Sequence, residues 1–211
     1  MNFTEITELA LSFADREDDE VTSRMPQFIL LVESRINRKL KVLEMSARSV
    51  VDLTTTDPDQ EYFQLPDDWM GLRDIEINIP DGKRIPLTYL NPEQMNNVGS
   101  KGDQFGQNMA KVYYTIIARQ IQIYPPQTEG FLEIVYYQQV PNLNATDPNN
   151  WISDEYPDCY INGLLVQISA FTKDKDALAV WKDLFDEALG EITIEDQENR
   201  WSGTPLTTKV G

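Results

Sequence analysis

The sequence predicts an α+β fold. Helix pairs from the N-terminal and C-terminal parts form a bundle, a mainly antiparallel β-sheet is inserted between them, and an extended tail follows. Apolar residues recur at helical spacing in residues 1–45 and 144–195, and each helix has one apolar face that needs a partner. β-branched and aromatic runs with turn residues between them fill residues 46–143, and the apolar pattern fades over residues 196–211. These four ranges are the predicted domains.

Two helices are predicted before the sheet. In residues 3–14 the apolar side chains fall at helical spacing, with Asn2 or Thr4 as the N-cap. The charged run 15–20 predicts a solvated loop. A second helix is predicted over residues 26–45, because the proline at its start suits the first turn of a helix.

The C-terminal half of this second helix is basic. It carries Arg35, Arg38, Lys39 and Lys41. The helix dipole favours cations at this end of a helix, which is a sufficient structural explanation. In a functional interpretation, the same basic patch contacts an acidic neighbour.

The middle of the chain predicts a sheet of up to seven strands. Residues 65–71 predict a turn with a helical or irregular step, and residues 80–83 (PDGK) predict a hairpin because Asp-Gly accepts positive φ. A short helix is predicted to begin at Asn91, and the glycine-containing residues 96–109 predict a mobile loop. The predicted strands are residues 48–55, 61–65, 72–79, 84–87, 111–117, 120–124 and 131–137.

Two further helices are predicted after the sheet. The first has Ser153 or Asp154 as its cap and contains Gly163, which costs about 1 kcal/mol relative to alanine and suggests close approach of another backbone. The second runs from residue 176 to at least residue 192. In the tail, Trp201 and Leu206 are large apolar residues that could dock on a partner.

The composition argues against most catalytic chemistry. The chain has no histidine and one cysteine, which excludes histidine-dependent nucleophiles, histidine metal sites and an internal disulfide. Cys159 is expected to be buried, and no phosphate-binding glycine motif is present. Pairs such as Asp67–Asp68 arise by chance among 35 acidic residues, and these two are interpreted as caps. No catalytic residue, cofactor or metal site is therefore predicted.

The net charge of −17 limits the choice of partners. DNA affinity comes largely from Lys and Arg that release counterions, so specific DNA binding is not expected. An acidic surface past which DNA slides remains open, as does acidity that serves solubility alone. No apolar run approaches the ~20 residues that span a bilayer, and the first residues lack a secretory signal, so synthesis in a cytoplasm is expected.

Six segments follow one another in an order that resembles a known family, the head-to-tail adaptor or connector proteins of short-tailed bacteriophages. The segments cover most of residues 20–195, and the helix AVWKDLFDEALGEI (179–192) closes the order. They are MPQFILLVESRINRKL (25–40), LPDDWMGLRDIEI (65–77), IPLTYLNPEQM (85–95), QIQIYPP (120–126), LEIVYYQQVPNL (132–143) and DPNNWISDEYPDCYINGLLVQISAF (147–171).

The resemblance implies a structural virion protein that is not an enzyme and is made in the host cytoplasm. Copies of such a protein form a ring, commonly of about twelve, below the portal. The ring extends the DNA channel and meets the portal, the tail nozzle and in some cases tail fibres. DNA would pass without specific binding, and no membrane is involved. The residues expected at subunit, portal or tail interfaces are Arg35, Arg38, Trp151, Trp201 and Leu206.

Two alternatives remain at this point. One is a virion-associated cell-wall glycosidase, which would need two carboxylates across a cleft. The other is a soluble module that binds a protein partner. Trp151 also has two interpretations, since a tryptophan can pack in the core or anchor a neighbouring subunit.

Overall fold

The structure confirms the α+β class. It is a computed structural model that describes residues 1–16, 18–100 and 111–201. The chain forms two compact units, one made of Met1–Met45 with Val140–Gly211 and the other of Ser46–Gln139. We call them the helical unit and the sheet unit. The chain returns to the helical unit at residue 140, whereas the sequence places this boundary after residue 143.

The helical unit begins with three helices: α1 (Phe3–Phe13), α2 (Asp19–Thr22) and α3 (Met25–Lys39). Asn2 caps α1 in a reciprocal capping box. Helix α2, with Asp18 as its cap, begins inside the run 15–20 that the sequence predicts as a solvated loop. The prediction that the second helix reaches residue 45 is wrong. The backbone becomes extended at Leu40, which buries this side chain, and only a 3-10 turn forms afterwards, at Leu43–Met45.

Three more helices complete this unit: α5 (Trp151–Glu155), α6 (Pro157–Thr172) and α7 (Lys175–Trp201). The sequence predicts one helix here, capped by Ser153 or Asp154. The structure has two, because Tyr156 has non-helical dihedral angles and separates α5 from α6. Residues 196–201, predicted to open an extended tail, continue α7; residues 202–211 lie outside the described residues. Helix α6 packs on α1, α3, α5 and α7.

Gly163 lies where α6 meets its neighbours. A Cβ at this position would lie 2.6 Å from Cγ1 of Val32 on α3 and 3.2 Å from Cε2 of Phe185 on α7. The sequence suggested that another backbone approaches Gly163 closely. In the structure, side chains make this close approach. The absent Cβ lets α6 pack tightly against both helices.

The sheet unit contains seven strands and one helix within the described residues. The strands pair in the order β1-β7-β3-β4-β5-β6-β2. All neighbours are antiparallel except β4 and β5, which are parallel because helix α4 (Pro92–Ser100) connects them. The strands are β1 (Ser46–Asp52), β2 (Tyr62–Gln64), β3 (Trp69–Asn78), β4 (Arg84–Tyr89), β5 (Val112–Ile117), β6 (Gln120–Tyr124) and β7 (Phe131–Gln138).

Strand β4 joins two halves of this sheet. Its residues 84–86 pair with β3 and its residues 87–89 pair with β5. One apolar core collects residues from both halves, including Ile77, Leu132 and Ile121, which are fully buried. The sheet is therefore mainly antiparallel, as predicted, and has a single core.

Several boundaries in the sheet unit differ from the predictions. Strand β1 ends at Asp52, whose side chain accepts a hydrogen bond from the Thr54 amide and caps a 3-10 turn. Strand β3 begins at Trp69, inside the predicted irregular step. The first part of the predicted loop 96–109 belongs to α4, and its remainder lies outside the described residues. In the described part of the chain, no helix is long and apolar enough to cross a membrane.

Candidate interaction surfaces

A buried polar network fixes the segment by which the chain re-enters the helical unit. Glu33 and Asn37 lie one turn apart on α3 and accept hydrogen bonds from this segment. The Leu143 amide donates to Glu33 Oε1 at 2.6 Å, and the Val140 amide donates to Asn37 Oδ1 at 2.9 Å. Residues 140–143 therefore belong to the helical unit because side chains of α3 bind their backbone.

Glu33 is the unusual member of this network. Its carboxyl is buried, and Oε1 also accepts a hydrogen bond from the Tyr160 hydroxyl at 3.1 Å. Within the described residues Oε2 has no hydrogen-bond partner. Burial raises the pKa of Glu33, although the hydrogen bonds from Leu143 and Tyr160 act in the opposite direction. The network thus holds one carboxyl group in a place that disfavours its charge.

Asn150 connects the same network to α5. Its Nδ2 donates to the Pro141 carbonyl and to the Tyr160 hydroxyl, each at 2.7 Å. Its Oδ1 accepts from the Ser153 amide, while Ser153 Oγ accepts from the Asn150 amide. Asn150 is therefore the cap of α5, whereas Ser153 and Asp154, predicted to cap the following helix, lie inside α5. The Asn-x-x-Ser pattern is a capping-box signal that the sequence analysis missed.

Trp151 follows this cap directly. Its side chain is half-buried and packs edge-on against Tyr156, with ring centroids 6.1 Å apart. The indole follows the capped start of α5 directly. Both interpretations of this residue stay predictions.

The basic residues of α3 divide into two sets. Arg35 and Lys39 both donate to Asp186 Oδ1 on α7, at 2.8 and 2.6 Å, and Arg35 also lies over the Phe185 ring. Burial tends to raise the pKa of Asp186, but Lys39 and Arg35 lower it below its ordinary value. Arg38 is exposed and donates to Ser34 Oγ on its own helix. Part of the basic patch thus meets an acid inside the same chain.

Helix α7 presents an acidic surface with apolar residues in it. Val180, Leu184 and Ile194 are exposed, as are Glu187 and Glu191. Trp201 is the last residue of α7, and the predicted docking residue Leu206 lies outside the described residues. Exposed apolar side chains within a charged surface are typical of a protein interface.

Several carboxylates of the sheet unit have structural partners. Asp68 accepts a hydrogen bond from the Tyr136 hydroxyl at 3.0 Å. Glu76 and Glu133 face each other across β3 and β7, and the sequence analysis missed this pair because it depends on strand register. Arg84 contacts Glu76 at 3.0 Å and Arg48 contacts Glu133 at 3.1 Å, so each of the two adjacent glutamates is compensated by an arginine on its other side.

Within residues 1–16, 18–100 and 111–201, no group of three or more acidic or cysteine side chains could hold a metal ion. Cys159 is buried as predicted, and burial raises its pKa.

Comparison with known proteins identifies the family. A family model described as SU10 adaptor protein matches residues 1–209. The chain belongs to the SU10 adaptor protein family. The search of curated proteins finds no match. The family assignment confirms the resemblance to phage head-to-tail adaptors and places this adaptor among the structural components of the virion.

Proposed function

We propose that this adaptor forms a ring of about twelve copies below the portal, where it extends the DNA channel and joins the capsid to the tail. The observation that carries the proposal is the family match over residues 1–209. The partners would be further copies of the adaptor, the portal protein, the tail nozzle and tail fibres. DNA would pass through the ring without specific binding.

The charge of the chain supports a passive channel. The net charge is −17, and exposed carboxylates outside the contact argued below, such as Asp183 and Glu198, lie on α7. Such a surface repels phosphates because both are negatively charged. It also gains no affinity from the release of counterions, which needs Lys or Arg on the protein. Passing DNA would therefore slide and not adhere.

A cryo-EM reconstruction of the particle neck tests this function. We expect a closed ring of this chain between the portal and the tail nozzle. Particles that lack the chain would overturn the proposal and favour a soluble binding module. Lysis of cell wall by the purified protein, lost on mutation of one carboxylate pair, would favour the glycosidase.

Trp151, Arg35, Arg38, Trp201 and Leu206 remain the proposed contact residues, and Trp151 is the first to test. A Trp151→Ala protein should fold as a monomer yet fail to add to isolated portals, because an anchor in the neighbour's surface is lost. Circular dichroism measures folding, and sedimentation with portals measures addition. Trp181→Ala, at another half-buried tryptophan of the helical unit, is the control. If Trp151→Ala does not fold, the indole packs in the core.

A further inference from the structure

Helix α3 has an exposed face that combines apolar and basic residues. Leu30 and Leu31 are 55% and 53% exposed. Ser34 and Arg38 continue the same face, because a helix turns by about 100° per residue. Arg38 forms no ion pair within the described residues. Two leucines are thus followed by a cation that is available to an outside partner.

Helix α7 has an exposed face of the opposite charge. Val180 is 58% exposed and Leu184 is 38% exposed. Glu187 and Glu191 follow on the same side and form no ion pair with any described residue. On α7, as on α3, exposed apolar residues are followed by charged residues, and here the charge is negative.

The two faces have the same spacing. Leu31 precedes Arg38 by seven residues, as Val180 precedes Glu187 and Leu184 precedes Glu191. Seven residues are about two helical turns, or roughly 10.5 Å. If α3 and α7 are aligned in the same direction, the leucines of α3 meet the apolar residues of α7. Two turns further along, Arg38 then meets the glutamates. An antiparallel alignment would place Arg38 against the apolar residues.

The direction of the helices agrees with this alignment. Within one chain Arg35 contacts Asp186 at 2.8 Å, and further along both segments the Leu43 amide donates to Asp196 at 2.8 Å. Both segments advance together, so α3 and α7 run in the same direction. Rotation about the axis of a ring preserves the direction of each helix along that axis. Neighbouring copies therefore also present α3 and α7 in the parallel sense.

We propose that the exposed face of α3 in one copy packs against the exposed face of α7 in the next copy of the ring. Leu31 contacts Val180 and Leu184, and Arg38 pairs with Glu187 and Glu191. The inference rests on the proposed ring, which needs two different complementary surfaces on each subunit. A second copy is the partner because two chains of charge −17 repel each other unless a basic face meets an acidic one.

Disulfide trapping tests the contact in the full-length chain. The variant Leu31→Cys/Leu184→Cys, assembled on portals and oxidised, should give a ladder of covalent multimers. The single variants should stay monomeric, because the contact joins different surfaces. Because the natural Cys159 is buried, it should form few unwanted disulfides in this experiment. The control is Phe13→Cys/Leu184→Cys, which pairs Leu184 with an exposed residue outside both faces.

Three outcomes would overturn the contact. The first is a dimer formed by Leu31→Cys alone, which would indicate a two-fold contact. The second is a ladder of equal intensity from the control pair. The third is the absence of a ladder from the Leu31→Cys/Leu184→Cys variant in particles that contain the ring. The last result leaves the ring itself intact, whereas absence of a ring in particles contradicts the proposed function. The two failures are therefore distinguishable.

Charge reversal tests the same contact without cysteine. Arg38→Glu or Glu187→Arg should each lower ring assembly on portals by at least roughly tenfold, because like charges then face each other. Combining both in one chain should restore assembly. Lys83→Glu in the hairpin of the sheet unit is the control and should leave assembly unchanged. Failure of the double variant to recover, with both single variants folded, would contradict the pairing.

Discussion

The helical unit and the sheet unit satisfy their backbone groups in different ways. Seven polar or charged side chains are buried within the described residues, and all but Thr115 lie in the helical unit. The sheet unit pairs its backbone through strand ladders, so its interior can be almost wholly apolar. The helical unit also contains irregular connections, whose amides have no ladder and no helical partner.

Side chains replace those missing partners. Glu33, Asn37 and Asp196 accept hydrogen bonds from the amides of Leu143, Val140 and Leu43. A buried backbone amide without a partner costs about as much as a lost hydrogen bond, so these side chains are placed inside. The difference teaches that buried acceptors such as Glu33 and Asp196 lie where irregular backbone needs a hydrogen-bond partner.

The largest effect should follow from Glu33→Ala. This change leaves the Leu143 amide and the Tyr160 hydroxyl without an acceptor, and each unsatisfied group costs about 2 kcal/mol. We expect the free energy of unfolding to fall by about 4 kcal/mol. Urea denaturation measures it, and faster hydrogen exchange at Leu143 locates it. A loss below about 1 kcal/mol would show that the polar network does not hold this unit.

Truncation of the apolar core should have the next largest effect. Ile77 is fully buried in the sheet unit, and Ile77→Ala removes three carbons and leaves a cavity. We expect a loss of about 3 kcal/mol in urea denaturation. Val50→Ala, at an exposed position of β1, is the control and should change little. Equal losses of unfolding free energy at Ile77 and Val50 would mean that the apolar core is not what stabilises the sheet unit.

Gly163→Ala tests packing in the helical unit independently of polar groups. The added Cβ would meet Val32 at 2.6 Å, so the cost of overpacking should exceed the gain in helix propensity, with a net loss of about 1 kcal/mol. The matched control is Gly190→Ala on α7, where no atom lies within 4 Å among the described neighbours. It should stabilise the protein by about 1 kcal/mol. Thermal melts of both variants check the opposite signs.

The dependence of stability on pH should separate the two units further. The folded pKa of Glu33 is raised above its ordinary value of 4.5, so the folded state favours the protonated form. This contribution is complete below 4.5 and is lost as the pH rises through the folded pKa. Glu33→Gln keeps an oxygen acceptor and cannot ionise. Its stability relative to the natural protein should therefore increase over that window, and a constant difference in urea denaturation would contradict this.

The smallest effect is expected at Tyr136 in the sheet unit. Burial and the hydrogen bond to Asp68 raise the pKa of Tyr136 to about 12, so the hydroxyl stays a donor. Tyr136→Phe removes one hydrogen bond and should cost about 1 kcal/mol in urea denaturation. Tyr62→Phe, on an exposed tyrosine, should cost nothing measurable. A loss at Tyr136 as large as at Glu33 would remove the contrast between the units.

The parts of the fold that the sequence predicted correctly depend on patterns among residues close together in the chain. Hairpin residues 80–83 and strand β7 followed from turn chemistry and alternation, and the capped start of α1 followed from Asn2. The end of α3 did not follow, because Leu40 and Leu43 continue a helical apolar stripe by spacing alone. In the structure, Leu40 has extended backbone and a buried side chain, whereas the side chain of Leu43 is 38% exposed.

The candidate sites show the same limit. Arg38 and Trp151 could be selected from charge and size, but nothing local indicated that Arg35 pairs with Asp186. Glu33 did leave a signal, since it lies within the apolar side of its helix, next to Val32 and one turn from Ile36. A lone carboxylate at such a position indicates a buried acceptor, whose donor is unknown until the fold brings it there.

By itself the sequence determined the α+β class, the absence of histidine chemistry, the acidic surface and the order of segments typical of adaptors. Only the tertiary structure decided that Glu33, Asn150 and Asp196 lie inside, and that β4 joins two halves of one sheet. The physical reason is range. Periodicity depends on residues within a few turns, whereas the backbone amide bound by Glu33 lies 110 positions away along the chain.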